Sequence, residues 1–343
     1  MEKRIKYIDI VKGIGILLVI NSHLPNGSSL VTRGVSFNVA AFFAATGALC
    51  QIKSNKKQVT IYSNVKRKAS ALLWPYFSLS LVYISFYGVV NLVSKQDPLA
   101  KFLARIFDTI TFLGIGTLWF LPVLFIAQII FELLIKVKKG NIFLFFILIF
   151  GPVLCQIATV YGVNSLEMLH NPVNAIITVF LESILGIGYI WLGFHITKII
   201  ETRKINDNLY LVIAAVSLGI NWFVGPYLES DFHLARIGNF IIFILASFSG
   251  IVGCFCISVI FQKIKYISDF FTWVGRNSII IMGTHLEYKI VNIAYIASIS
   301  ILRNASQGIK SIFMFLIIIL VEWLIVTIVN KTRLRYIFYA PKK

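Results

Sequence analysis

Ten long apolar runs constrain the fold of this chain more than any other feature of its sequence. A helix needs about 20 apolar residues to cross the roughly 30 Å hydrocarbon layer of a bilayer. Backbone groups in lipid must be hydrogen-bonded within the protein, and the runs are too long for barrel strands, so they predict helices. We therefore expect an all-α, polytopic membrane helix bundle. The predicted spans are 8–24, 35–52, 69–94, 112–135, 141–161, 173–197, 208–225, 237–262, 277–300 and 311–330.

The composition supports a protein that has lipid as its solvent. Of the 343 residues, 58% are hydrophobic and 13% are charged, whereas soluble domains carry about 25% charged residues. A water-soluble fold this apolar would expose large hydrophobic patches. Spans and short loops account for the whole length, so we expect a single membrane domain over residues 1–343 and no fused soluble domain.

The positive charge of the chain predicts its topology. A net charge of +18 on a soluble domain would suggest nucleic acid, but the lysines and arginines cluster between the apolar runs, and we expect no nucleic-acid partner. Loops on the side of the N-terminus carry 23 of the 32 basic residues, and loops on the other side carry 7. By the positive-inside rule both termini are cytoplasmic and the protein is a multi-pass protein of the inner, or plasma, membrane.

Ionisable residues inside the apolar runs are the candidate functional groups. A charged side chain at the bilayer centre costs roughly 2.5–3.5 kcal/mol, and such residues usually face a cavity or one another. Lys12 and His23 lie eleven residues apart in the first run. Eleven steps of about 100° return almost to the starting direction, so one helix face presents both, about 16 Å apart. Alternatively, Asp9 and Lys12 form an i,i+3 pair and His23 lies at the membrane interface.

Five motifs follow one another in a characteristic order along the chain. They are Tyr7–His23 with ten residues between Lys12 and His23, Phe42–Gly47 (FFAATG), Arg67-Lys68 before Trp74-Pro75-Tyr76, Leu118–Leu121 (LWFL), and Gly275–Ser278 (GRNS) before His285. In these motifs the chain resembles the acyltransferase family 3 integral membrane proteins. It resembles in particular the fucose 4-O-acetylase-like branch, which O-acylates cell-surface polysaccharides. Asn38 is a departure, because the family often has a histidine near this position.

The resemblance implies a reaction and a set of site residues. The reaction is transfer of an acyl group, usually acetyl, from cytoplasmic acyl-CoA to a hydroxyl of a cell-surface or lipid-linked sugar in a bacterial envelope. The catalytic candidates are His23 and Lys12, with His23 acting as a general base or as a covalent acyl-histidine. The substrate-binding candidates are Asp9, Asn38, Arg67, Lys68, Tyr76, Trp119, Glu182, Asn277, Ser278, His285 and Glu322.

Cofactor and partner expectations follow from the same reading. The donor substrate is acyl-CoA, in the first place acetyl-CoA, and its phosphates would meet Arg67 and Lys68. We expect no metal, because the four cysteines form no CxxC or Cys-His spacing. The expected partners are the lipid bilayer, a sugar or polysaccharide acceptor, and envelope-polysaccharide assembly proteins.

Two other classes of protein fit part of the pattern. A transporter or flippase for a sugar or lipid-linked glycan also carries charges and glycines within its spans. The two halves of this sequence show no inverted repeat, which disfavours transport. A non-catalytic membrane sensor or assembly partner is the third possibility.

Overall fold

The computed structural model describes residues 5–25, 35–54, 61–93, 98–165, 167–169 and 171–341. Within these residues the chain forms fourteen α-helices, two 3-10 turns and one very short hairpin. The helices are α1 Lys6–Ser22, α2 Ala40–Ser54, α3 Ile61–Val93, α4 Pro98–Ile110, α5 Phe120–Leu134, α6 Gly140–Val160, α7 Pro172–Thr202, α8 Asp207–Val224, α9 Phe240–Phe261, α10 Lys265–Arg276, α11 Ser278–Met282, α12 Ile290–Ile301, α13 Gln307–Lys331 and α14 Arg335–Phe338. The 3-10 turns are Gly116–Trp119 and Gly225–Tyr227, and the strands are β1 Ser230–Asp231 and β2 Arg236–Ile237.

The expected all-α polytopic bundle is confirmed. In the described part of the chain, seven helical segments are long and apolar enough to cross a membrane. They are Tyr62–Val90, Gly116–Leu134, Gly140–Val160, Pro172–Thr202, Asp207–Tyr227, Phe240–Phe261 and Gln307–Lys331. Helices α1 and α2 form where the first two spans were expected but have 17 and 15 residues, short of the roughly 20 that a perpendicular crossing needs. The total of ten spans and the sidedness remain predictions.

The prediction of one continuous helix over 277–300 is wrong. Helix α11 ends at Met282, a turn follows, and α12 begins only at Ile290. His285 therefore lies in this turn and not within a continuous helix. Lys289, the residue before α12, has a left-handed backbone with φ of 59°.

Polar side chains of the turn explain the break, because they bond to other helices. The Thr284 hydroxyl donates to Glu322 Oε2 of α13 at 2.7 Å, and Tyr87 of α3 donates to Glu287 Oε2 at 3.1 Å. Non-helical backbone at membrane depth is tolerated where it is buried in protein or lines a cavity. His285 is fully buried, so the turn meets that condition.

Two amphipathic helices occur in segments that were expected to be loops. They are α4 and α10, which have 13 and 12 residues. Helix α10 packs closely against α1, because Gly275 faces the backbone oxygen of Asp9 and Gly13 faces that of Phe271, each at the place that a Cβ would occupy. The absence of both side chains allows the contact, which brings the end of α10 beside the first turns of α1.

Contacts between helix ends define two ends of the bundle. At one end, which we call the basic end, Lys68 of α3 pairs with Glu132 of α5, and Tyr7 of α1 donates to Glu201 of α7 at 3.1 Å. The β1–β2 hairpin connects α8 and α9 at the other end, which we call the hairpin end. Since α1 starts at the basic end, its C-cap residue His23 lies toward the hairpin end.

The hairpin segment, residues 228–239, folds into the bundle and does not cap it from outside. Asn164 Nδ2 donates to the backbone oxygens of Leu234 and Ala235 at 2.9 and 3.1 Å. The N–H of Phe240 donates to Gln156 Oε1 at 3.0 Å. Leu234 and Ala235 are buried. These bonds hold the hairpin segment in place inside the bundle.

The α1–α10 contact predicts a position-specific effect of adding one methyl group. Gly275→Ala places a Cβ against the backbone of Asp9, and overpacking of this kind costs about 1–3 kcal/mol. We expect a lower melting temperature, followed by tryptophan fluorescence in detergent micelles. Gly88→Ala is the control, because it adds the methyl group on a helix with no atom within 4 Å. An equal response of both variants would contradict the close packing.

Candidate active site

A cavity of about 780 Å³ lies between α1, α2, α5, the hairpin segment and the α10–α11 junction. Helix α1 lines it with Lys12, Ile16, Val19 and His23, whose spacing of four, three and four places them on one face. The side chains predicted to share a direction therefore border the same space. At 1.5 Å per residue, Lys12 and His23 are separated by about 16 Å along the axis.

Two cations sit in the cavity wall toward the basic end. Lys12 Nζ lies 2.8 Å from Asp9 Oδ1, and Arg276 Nε lies 3.4 Å from Asp9 Oδ2. Lys12 and Arg276 line the cavity, whereas Asp9 lies behind them with a side chain that is 5% exposed. One carboxylate shared by two cations leaves this wall positive, which suits an anionic ligand. Arg276 was not a candidate, because the sequence assigns it to a loop.

One ring nitrogen of His23 is engaged, and the other has no hydrogen-bond partner among the residues that the structure describes. Its Nδ1 lies 2.8 Å from the backbone oxygen of Val19. A carbonyl oxygen only accepts, so Nδ1 carries the hydrogen, and in the neutral ring Nε2 holds a lone pair. His23 is half-buried and lines the cavity, so this nitrogen is the one available to a ligand.

His285 supports that tautomer from behind the cavity wall. Its Nδ1 donates to the backbone oxygen of Ile281 at 2.8 Å, so its Nε2 is an acceptor in the neutral form. That Nε2 lies 3.4 Å from His23 Nδ1. The N–H of His23 is thus shared between Val19 and His285. His285 itself is fully buried and holds the His23 ring in place.

A second imidazole lines the cavity from the hairpin segment. The His233 ring stacks on Trp119, with 4.8 Å between centroids and 21° between planes. Its Nδ1 lies 3.3 Å from Glu182 Oε1, and its backbone N–H donates to Asp231 Oδ1 at 3.0 Å. Trp119, His233 and Asp231 line the cavity, and the predicted Glu182 is fully buried behind His233. His233 and Asp231 were not candidates, since no sequence pattern indicates that this loop enters the bundle.

Asn38 and Ser278 also line the cavity, as candidate substrate-binding residues should. Asn38 is 5% exposed, and its Oδ1 accepts from the backbone N–H of Val39 at 2.6 Å. Its amide nitrogen is the donor that remains for a ligand. Thr46 of the FFAATG motif borders the same space.

Three other candidates lie away from the cavity, and two of them, Lys68 and Tyr76, connect helices. Lys68, buried at 6% exposure, pairs with Glu132. Arg67 donates to Asn64 at 2.8 Å on the surface. Tyr76 donates to the backbone oxygen of Thr109 at 2.8 Å and so ties α3 to α4.

Asn277 and Glu322 join α13 to the segment around the broken helix. Asn277 Oδ1 accepts from Asn330 Nδ2 at 3.0 Å. Glu322 is 1% exposed and accepts from Thr284. Neither lines the cavity, so their contacts position the turn that carries His285.

The fold and the site together define a class of protein. It is a multi-pass membrane protein with a cavity between its helices that has cations near one end and imidazoles toward the other. The chain matches the model of acyltransferase family 3, described as an acyltransferase domain, over residues 5–329, and it belongs to this family. It is therefore a membrane acyltransferase; the fucose 4-O-acetylase-like branch remains a prediction. Comparisons with curated proteins and with solved structures gave no match.

The Lys68–Glu132 pair predicts a structural effect that a ligand-binding role would not give. Glu132→Gln leaves the buried Lys68 ammonium without its counter-charge, at a cost of up to about 3 kcal/mol. We expect the melting temperature to fall by several degrees. The matched surface variant Arg67→Gln should leave it unchanged, because exposed polar contacts contribute little. Equal melting temperatures for all three proteins would refute the structural assignment of Lys68.

Proposed function

We propose that this protein transfers an acyl group, in the first place acetyl, from cytoplasmic acyl-CoA to a hydroxyl of a cell-surface or lipid-linked sugar. The proposal depends on one observation: a single cavity borders the Lys12–Arg276 cations and, about 16 Å further along α1, the free nitrogen of His23. Family membership supports acyl transfer. The donor, the acceptor and the sidedness belong to the proposal.

The basic end suits the donor. Its loops carry most of the lysines and arginines, and the positive-inside rule therefore favours a cytoplasmic position, where acyl-CoA is made. Phosphate oxygens pair well with a guanidinium and an ammonium held together, as Arg276 and Lys12 are by Asp9. The long, thin pantetheine arm then extends along α1 toward His23. Arg67 and Lys68 have no part in this route.

His23 supplies the base. Its Nε2 takes the proton of the acceptor hydroxyl as that oxygen attacks the thioester carbonyl. The carbon–sulfur bond breaks, and the CoA thiolate leaves and takes the proton from the imidazolium. During this step the Nδ1–H stays bonded to Val19, so the ring keeps its orientation. Direct attack of Nε2 on the thioester, giving an acyl-histidine, uses the same free nitrogen.

Acyl transfer is tested with purified protein in lipid nanodiscs. Acetyl-CoA labelled in the acetyl group is supplied together with membranes from a strain of the source organism that lacks this gene. We expect thiol release and labelled membranes with the wild type, and a loss of about 10²–10⁴-fold in His23→Ala. His195→Ala is the control, because His195 bonds Asn141 away from the cavity. A wild type without thiol release, as expected of a flippase or a sensor, would overturn the proposal.

Donor binding is tested separately by neutralising one cavity cation. Arg276→Gln removes a charge-assisted contact, and we expect the KM for acetyl-CoA to rise about tenfold, equivalent to about 1.4 kcal/mol. Arg67→Gln carries the same change outside the cavity and should leave this KM within twofold. Equal KM values in the two variants would remove the CoA phosphates from the Arg276 wall.

A further inference from the structure

The acyl-transfer chemistry above makes no use of His233, although this imidazole borders the same cavity. Contacts from two other elements hold its ring. Stacking on Trp119 fixes the plane of the ring, and Glu182 of α7 fixes the edge that carries Nδ1. A side chain held in plane and in rotation is preorganised to meet a ligand in one orientation.

In the part of the chain that the structure describes, the hydrogen bond to His233 is the contact that explains a carboxyl group at position 182. It is fully buried, ten residues into α7, which is about 15 Å from the start of that helix. A buried carboxyl group is costly unless it is hydrogen-bonded. Among the described residues, His233 is its one hydrogen-bond partner, and Oε2 has none. An apolar residue would pack at this position at lower cost, so the contact with His233 accounts for the carboxyl group.

The hydrogen bond to Glu182 leaves the other ring nitrogen for a ligand. Burial lowers the pKa of His233, so the ring is neutral at pH 7. When Glu182 Oε1 accepts the hydrogen of Nδ1, Nε2 holds the lone pair. The His233 side chain is 34% exposed while that of Glu182 is inaccessible, so the open edge of the ring is the edge with Nε2. Among the described residues this nitrogen has no hydrogen-bond partner.

Asp231 gives this part of the wall a second acceptor. Its Oδ1 takes the His233 backbone N–H, its Oδ2 lies 3.3 Å from Arg236, and its side chain is 46% exposed. An imidazole lone pair and a carboxylate are both hydrogen-bond acceptors. Their complement is a ligand with several donors, such as the hydroxyl groups of a sugar, and an anion such as CoA is disfavoured here.

We propose that His233 binds the acyl acceptor by accepting a hydrogen bond from an acceptor hydroxyl at Nε2, and that Glu182 is the positioning residue that holds His233 in this tautomer. The inference rests on the acyl-transfer function proposed above. It assigns acceptor binding to the hairpin segment and leaves proton removal to His23.

The test separates acceptor binding from donor binding. The assay uses labelled acetyl-CoA and membranes of the deletion strain, with the amount of membrane titrated. We expect His233→Asn and Glu182→Gln each to raise the half-saturating amount of membrane at least about tenfold. The KM for acetyl-CoA, measured at the highest membrane concentration, should stay within twofold. A loss of folded protein would lower the maximal rate and leave both constants unchanged.

A double-variant cycle tests whether Glu182 acts through His233. Once His233 is asparagine, Glu182→Gln should add less than a twofold further effect, because the group that it positions is gone. Full additivity of the two changes would show independent roles and overturn the positioning assignment. His195→Asn is the matched control for the histidine change, since His195 bonds Asn141 outside the cavity.

The remaining outcomes are distinguishable. A wild type that labels the membranes, together with variants of unchanged half-saturation, overturns this inference alone. A wild type that releases no thiol overturns the proposed function, and this inference with it. Should His233→Asn elute as an aggregate in size-exclusion chromatography, His233→Gln takes its place, and unchanged half-saturation in that variant is equally contrary.

Discussion

Close packing of α1 against α10 determines where the charged groups of the cavity lie. Glycines at positions 13 and 275 let the two backbones touch. Arg276 is the last residue of α10. This arginine therefore meets the Asp9 carboxylate, which α1 also offers to Lys12. A cation in a membrane bundle is costly without a partner, and the shared carboxylate stabilises both. The remaining positive charge faces the cavity.

Hydrogen bonds to the backbone hold His23, at the other end of α1, and the neighbouring His285. Each donates its Nδ1–H to a carbonyl oxygen four residues earlier in the chain, His23 to Val19 and His285 to Ile281. Backbone oxygens are rigid acceptors, so the tautomer does not depend on a mobile side chain. The broken helix brings His285 within 3.4 Å of His23. The interrupted helix therefore contributes to the position of the His23 ring beside the cavity.

Periodicity and hydropathy were sufficient to predict the bundle and the shared face of Lys12 and His23. Both are local properties, because a helix converts an eleven-residue spacing into one direction. The break within 277–300 was not predictable in this way. Its apolar content is that of a continuous span, and the turn depends on bonds from Thr284 and Glu287 to helices far along the chain.

The sequence also did not predict which residues of the connecting segments reach the cavity. Arg276 and His233 reach the cavity only because an unpredicted amphipathic helix and a hairpin fold inward, which no local pattern encodes. Lys68 illustrates a different limit. The sequence shows a basic residue before a span, which suggested a phosphate contact, but it does not show that Lys68 of α3 pairs with Glu132 of α5. Sequence identifies which groups are costly in a membrane, but only the tertiary arrangement shows what satisfies each one.

The chemical difference between the two parts of the cavity bears on how a reaction could proceed. An alternating-access transporter presents one binding site to each side in turn. Here the wall near Lys12 and Arg276 offers cations, and the wall near His233 offers acceptors, so the two do not suit the same ligand. The proposed function uses this difference, because it assigns the donor to the cations and the acceptor to the wall with the acceptor groups. Under that proposal the two substrates meet in one cavity, and the reaction requires the acyl group to move and not the helices.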